Sequence, residues 1–199
     1  NLLNVTGAFT PQPFVDGDVV CLYNGEIYNQ PFGETDGEVL IPLYRKHGVH
    51  FGRHLEGEFA IALYDFREGI AVFVTDPFKT KPLFINGVEC SSYRSGVGGS
   101  PAIPNEILVT RLDDGTVVDR SPLRTWDLTQ WNDSYDGWIA ALEEAVRKRA
   151  TPGCFIGLSS GYDSGGIACA LLKIGIDFKA YIYAGDENMD VLNRRRRLV

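Results

Sequence analysis

Leu55-Glu56-Gly57-Glu58-Phe59-Ala60-Ile61-Ala62-Leu63-Tyr64-Asp65-Phe66-Arg67-Glu68-Gly69-Ile70-Ala71-Val72-Phe73-Val74-Thr75 holds two apolar runs around a short polar segment. Residues 59–64 and 70–75 are almost continuously apolar, which fits strands covered on both faces. Residues 65–69 between them have the length and the closing glycine of a hairpin loop. Working outward, further short strands are expected at 19–23, 83–86, 107–111 and 116–118, each bounded by turn residues. Thr35 is placed to cap a helix over 36–47, with Glu38 completing a capping box and Gly48 ending it. Strands paired by hairpins with a helix laid against them make an α+β layer arrangement.

The chain has 199 residues, 44% of them hydrophobic, enough for a real core in one or two domains. A formal charge of -7 disfavours a polyanion partner, so nucleic acid is not expected. The acidity is local. Residues 1–127 carry ten Lys/Arg against seventeen Asp/Glu, whereas 128–199 carry nine of each, which places a seam near residue 128. The longest apolar stretch, 59–64, is far below the roughly 20 residues that cross a bilayer, so a soluble, cytoplasmic protein without membrane contact is expected. Cys21, Cys90, Cys154 and Cys169 form no C-x-x-C pair, and buried thiols are expected rather than a disulfide framework or a zinc site.

Beyond the seam the period changes. Asn132, Asp133 or Ser134 can cap a helix over 135–150, with Trp138, Leu142, Ala145 and Val146 on one stripe and Glu143/Arg147 and Glu144/Lys148 paired on another. A buried strand (154–158), a small-residue loop, a helix (163–174, closed by Gly175) and a second strand (178–183) follow. This is a βαβ unit whose strands should be parallel. Residues 119–132 are the candidate linker.

The loop reads Leu158-Ser159-Ser160-Gly161-Tyr162-Asp163-Ser164-Gly165-Gly166. Small residues let backbone approach a ligand, and hydroxyls plus free N–H groups at a helix N-terminus suit phosphate oxygens. Asp163 would repel phosphate unless a divalent cation lies between them, a condition that a Mg2+-nucleotide meets. No G-x-x-x-x-G-K-[ST] is present, so ordinary γ-phosphate transfer is not implied. The plainer alternative is a tight turn in which Asp163 merely caps the helix.

At Ser159, Gly161, Asp163 and Ser164 the chain resembles the pyrophosphatase-type ATP loop, S-G-G-x-D-S, of enzymes that adenylate a carboxyl group. Ser160 stands where Gly is usual, and Gly165 where a second Ser often follows. The resemblance implies that Gly157, Ser159, Ser160, Gly161, Asp163 and Ser164 contact ATP, that Asp163 meets Mg2+ through it, and that Ile182 and Tyr183 adjoin adenine. Upstream, Asn24-Gly25-Glu26-Ile27-Tyr28-Asn29, Thr35-Asp36-Gly37-Glu38-Val39-Leu40, the Leu55 to Asp65 segment, and Asp76 followed by Lys81-Pro82-Leu83-Phe84 occur in the order seen in glutamine-hydrolysing asparagine synthetases.

That resemblance implies an N-terminal-nucleophile-type (αββα) glutaminase domain over 1–127. It implies, over 133–199, the start of an α/β parallel-sheet ATP-pyrophosphatase domain of adenine nucleotide hydrolase-like fold. Asn24 and the Gly25 N–H then match the family's oxyanion hole, where each donor lowers an acyl-transfer barrier by roughly 3 kcal/mol. Asp36 matches the carboxylate that holds the α-ammonium of glutamine, and Asn24 and Glu26 belong to the same recognition site. The plain alternative for Asn24-Gly25 is a hairpin turn. Family members attack glutamine with an amino-terminal Cys. Asn1 cannot serve, and residues 2–14 align with the stretch that precedes N-G-E-I-Y-N. The Cys and an Arg that grips the glutamine carboxylate are therefore expected upstream of this chain, and a second nucleotide loop and the aspartate pocket beyond Val199.

The implied activity is transfer of glutamine-derived ammonia to adenylated aspartate, giving asparagine, AMP and pyrophosphate, with ATP and Mg2+ as cofactors and glutamine and aspartate as small-molecule partners. This chain is not expected to complete either half-reaction alone, and a homodimer is compatible with the sequence. Alternatives are a β-lactam synthetase or peptide-cyclase relative without glutaminase activity, and a degenerate nucleotide- or glutamine-binding module. His47, His50 and His54 lack a matching set of carboxylates or thiols and read as surface or packing residues. Arg194 to Arg197 read as a solvated helix end.

Overall fold

A computed structural model of the chain describes residues 10–31, 33–183 and 185–199. Asn1 and most of the 2–14 stretch lie outside the described residues. The chain divides into two compact units, Asn1–Leu128 and Thr129–Val199. Among the described residues no helix is long and apolar enough to cross a membrane.

In the first unit the elements run β1 (Phe14–Asp16), β2 (Val19–Ile27), a 3-10 turn (Asp36–Val39), α1 (Leu40–His47), a second 3-10 segment (Gly48–His54), β3 (Gly57–Asp65), β4 (Ile70–Thr75), β5 (Phe84–Asn86), β6 (Glu89–Ser91), α2 (Arg94–Val97), β7 (Ser100–Pro101), β8 (Glu106–Arg111) and β9 (Val117–Pro122). Six strands form one antiparallel sheet in the order β1-β2-β3-β4-β8-β9, and β6-β5-β7 form a smaller one. Side chains alternate across each strand, so both faces of β3 and β4 need cover. On one face Cys21, Tyr23, Phe59, Ile61, Leu63, Val72 and Val74 pack with Leu40, Ile41 and Tyr44 of α1 and with Phe51 and Leu55. On the other, Ala60, Ala62, Ala71, Phe73 and Leu108 meet Leu83, with Ile85 and Cys90 from the small sheet against them. This two-sided burial is why residues 59–64 and 70–75 read as unbroken apolar runs.

The hairpin forms as expected. Asp65 Oδ1 accepts the N–H of Arg67 and of Glu68, both at 3.0 Å, Gly69 takes the left-handed conformation (φ 67°), and Tyr44 Oη donates to Asp65 Oδ2 at 2.9 Å. Elsewhere the first unit sets aside one alternative and departs from some expectations. Asn24-Gly25 is not a turn, because β2 runs straight through it with Asn24 opposite Ala60 and Gly25 opposite Phe59. Thr35 makes no side-chain cap. The Glu38 carboxylate instead accepts the N–H groups of Gly33 (3.2 Å) and Glu34 (3.3 Å), and the helix opens as a 3-10 turn. Strand β9 runs on to Pro122, into what reads as linker.

The second unit comprises α3 (Asp136–Arg149), β10 (Cys154–Gly157), α4 (Tyr162–Ile174), β11 (Phe178–Tyr181) and α5 (Met189–Arg195). β10 and β11 pair in parallel from Cys154↔Phe178 to Gly157↔Tyr181, as a strand-helix-strand crossover requires. Gly175 ends α4 in the left-handed region (φ 74°). The core is small: Val146, Ala170 and Leu171, with Leu142, Ile156 and Phe178 packed on them. Only one strand face is covered within this unit, since Phe155 and Tyr181 on the other face are 72% and 61% exposed and meet edge to face at 5.7 Å. Trp138 is exposed too, so the packed stripe of α3 begins at Leu142. Glu143 pairs with Lys173 (2.5 Å) and Glu144 with Arg147 (2.6 Å). All four cysteines are free thiols; burial pushes the Cys21 thiol up to about 12, whereas Cys169 is exposed.

Candidate functional site

In the first unit β2 carries Asn24, Gly25 and Glu26, and the 3-10 turn carries Asp36, whose bonds to β2 go to Tyr23 and Ile27. Asp36 is buried; its Oδ2 accepts the Tyr23 hydroxyl and the Ile27 N–H, both at 2.7 Å, and its Oδ1 accepts the Thr35 hydroxyl at 3.4 Å. A buried carboxylate is costly unless donors surround it, and here three neutral donors do. Burial, followed by the bond to Asp36, pushes the Tyr23 hydroxyl well above the ordinary phenol range.

The outer edge of β2 carries a row of alternate backbone groups. Tyr23 N–H donates to Gln12 Oε1 (2.7 Å) and Ile27 N–H to Asp36 Oδ2. Gly25 lies midway between them, so strand alternation turns its N–H to the same edge. Phe59, opposite Gly25, exchanges its own N–H and C=O with Asp76 instead. No acceptor meets the Gly25 N–H among the described residues.

Asn24 and Glu26 share the opposite side-chain face of β2. Glu26 stands opposite Glu58 in the ladder, and like charges in such a pair are destabilising. Glu58 is compensated by Lys81 Nζ at 3.2 Å and accepts the Tyr28 hydroxyl at 3.0 Å. Buried Asp76 collects the N–H groups of Phe59 (3.1 Å), Phe78 (2.9 Å) and Thr80 (2.9 Å) and the Thr80 hydroxyl (2.6 Å), which fixes the segment that delivers Lys81. The motifs alone assign no role to Tyr23 or Lys81; their long-range partners are visible only in three dimensions.

In the second unit Gly157 ends β10 and the loop turns into α4. Ser159 N–H donates to Ser164 Oγ (3.0 Å), the two serine hydroxyls meet at 2.8 Å, and Gly161 N–H donates to Ser159 Oγ (3.2 Å). Gly161 is the N-cap and offers no side chain, which leaves first-turn N–H groups of α4 without an intrahelical partner. Asp163 is exposed and caps nothing. An open carboxylate beside hydroxyls and helix N–H groups is a donor set that fits a magnesium-bound phosphate. Ile182 lies just past β11 and lines a hollow of about 450 Å³ with Leu158, Tyr181 and Arg196.

Two residues without a functional signal in the sequence reach this loop. The Glu187 carboxylate accepts both the N–H (2.6 Å) and the hydroxyl of Ser160, and the Arg195 guanidinium donates to the carbonyls of Ser159 and Gly161. His47 and His54 stack at 3.7 Å between ring centroids, and among the described residues no group of three or more His, Cys, Asp or Glu is placed to hold a metal ion.

A profile of glutamine amidotransferase domains matches residues 5–92. Asparagine synthetase [glutamine-hydrolyzing] 2 of Bacillus subtilis is 38% identical over 86 residues, 37% of this chain and 12% of the relative. Amidase chyE of Penicillium rubens is 32% identical over 92 residues, 39% of this chain and 14% of the relative. Asparagine synthetase [glutamine-hydrolyzing] 2 of Arabidopsis thaliana is 27% identical across both units, covering 86% of this chain and 34% of the relative. The chain therefore spans about a third or less of the length of these relatives. Residues 5–92 are thus similar to a glutamine amidotransferase domain, in a chain whose relatives include glutamine-hydrolysing asparagine synthetases.

Proposed function

We propose that this chain is part of an asparagine synthetase-like amidotransferase, in which an N-terminal-nucleophile-type first unit frees ammonia from glutamine and a pyrophosphatase-loop second unit binds Mg2+-ATP. The observation that carries the reading is the Gly25 N–H, which meets no acceptor among the described residues and lies next to the Ile27 N–H that Asp36 holds. A backbone donor fixed in a strand needs little reorganisation when negative charge develops on an acyl oxygen. Asn24 supplies a second donor. Asp36 Oδ2 is committed to Tyr23 and Ile27, so Oδ1 is the oxygen that meets the α-ammonium of glutamine, with Glu26 adding negative charge at the same end of the strand.

In the second unit the Gly157 to Ser164 loop would hold ATP, with Ile182 beside the adenine, and Asp163 would hold Mg2+. When bound, the metal would supply neutralisation of the leaving pyrophosphate. The loop's own part is to hold the α-phosphorus where the aspartate carboxylate can attack it. A cytoplasmic setting goes with these small-molecule substrates. The experiment is to assay the full-length protein that contains this chain for glutamine hydrolysis and for aspartate-dependent pyrophosphate release. Both activities are expected, with hydrolysis lost in Asp36→Ala; pyrophosphate release that ignores aspartate overturns the assignment of the acceptor.

A match over 39% of this chain to a relative named an amidase supports a second reading of the first unit, in which it hydrolyses an amide other than glutamine. Hydrolysis of another amide by the full-length protein, and none of glutamine, would select it.

A further inference from the structure

Ser160 and Gly165, the two positions at which the loop departs from the S-G-G-x-D-S pattern and its usual following Ser, touch the same later segment. Ser160 gives its N–H and its hydroxyl to Glu187, and Asn188 N–H returns a bond to Ser160 Oγ at 3.2 Å. Gly165 lies under Arg195: a Cβ there would stand 2.5 Å from Nη2 and 2.6 Å from Cζ of the guanidinium. A glycine at 160 would lose the hydroxyl donor, and any side chain at 165 would displace the guanidinium. Glu187 precedes α5 and Arg195 is its last residue, while Asn188 caps the helix through the N–H groups of Asp190 (3.1 Å) and Val191 (3.2 Å). The segment is thus strapped over the loop at both ends.

A carboxylate oxygen that accepts an N–H and a hydroxyl at this loop takes the bonds that a phosphate oxygen would take. We propose that Glu187 is a built-in occupant of the loop's anion position, so that the chain rests closed and a polyphosphate binds by displacing this carboxylate while Arg195 stays as an added cation. The proposal rests on the nucleotide reading of the loop and concerns how that site is regulated. The Ser160 hydroxyl first, then its N–H and the charge of Arg195, hold the Glu187 carboxyl below the usual carboxylate range, so the occupant is charged at neutral pH. Apparent affinity falls with the fraction of loops that stand open, so the closure sets the concentration at which the ligand engages.

The test is calorimetric titration of inorganic pyrophosphate with Mg2+ into the chain and into Glu187→Ala, Arg195→Ala and Asp190→Asn variants. It is joined by the amide NMR signal of Ser160 in the unliganded chain and in Glu187→Gln. Glu187→Ala is expected to bind at least about tenfold more tightly, and Arg195→Ala more weakly. Asp190→Asn removes the same charge from the same segment without touching the loop, and should change affinity by less than about twofold. The Ser160 amide should shift in Glu187→Gln without any ligand. Equal affinity in the parent chain and Glu187→Ala, or equal gains from both acidic variants, overturns the proposal and leaves the nucleotide reading standing. An unmoved Ser160 amide overturns it independently of ligand. No binding by any variant removes the nucleotide reading and the proposal together.

Discussion

The carbonyl oxygen of Glu58 approaches to 2.0 Å from the point where a Cβ on Gly25 would stand. Only glycine lets β2 and β3 meet this closely at Gly25, whose φ of 154° also falls where side chains are rarely tolerated. Gly25→Ala should therefore separate the strands at the candidate oxyanion donor and cost about 2–4 kcal/mol. Gly69→Ala, in a hairpin with open space around it, should cost about 1 kcal/mol for its positive φ alone. Urea midpoints for the two variants check the order.

Asp36 joins the 3-10 turn to β2 through buried donors. Asp36→Ala strands the Ile27 N–H and the Tyr23 hydroxyl and should cost about 2–4 kcal/mol. Asp36→Asn keeps an acceptor oxygen and should cost about half as much. The comparison separates hydrogen bonding from charge: the Asn variant should fold near normally yet lose glutamine hydrolysis in the full-length protein, because a carboxamide does not hold an ammonium. Hydrolysis retained in a folded Asp36→Asn protein contradicts the role given to this carboxylate.

The contact between Glu187 and Ser160 carries a pH dependence of known sign. The folded value of the Glu187 carboxyl lies below its unfolded one, so the contact is fully present above the ordinary carboxylate range and is lost as pH falls through the depressed value. The Ser160 amide signal should accordingly hold steady from neutral pH down into the ordinary carboxylate range and move below it. In Glu187→Gln the same signal should stay flat.

Much of this fold is legible in the chain because two-sided burial leaves a plain mark: residues 59–64 and 70–75 are apolar on both parities, and both became central strands. The turn alternative for Asn24-Gly25 rests on the dipeptide alone, and what sets it aside, the pairing of β2 with β3 beside Glu58, is thirty-odd residues away. Glu38 fits a capping box by spacing, yet its carboxylate satisfies Gly33 and Glu34, two donors that no capping pattern includes. Strands β6 and β7 are built from short stretches such as Ser100-Pro101 that carry no strand signal alone. In the loop, Asp163 and its serines are readable from local pattern. Ser160 and Gly165 look like mere departures until Glu187 and Arg195 arrive from the far side of β11.

The most direct measurement is calorimetric titration of Mg2+-ATP into the chain and into its Asp163→Ala variant, with circular dichroism to show that both are folded. The account predicts saturable binding by the parent chain that weakens at least about tenfold in the variant, since a carboxylate that meets the metal contributes on that order. A folded chain that binds no Mg2+-ATP, or binds it equally well without the Asp163 carboxylate, contradicts the account.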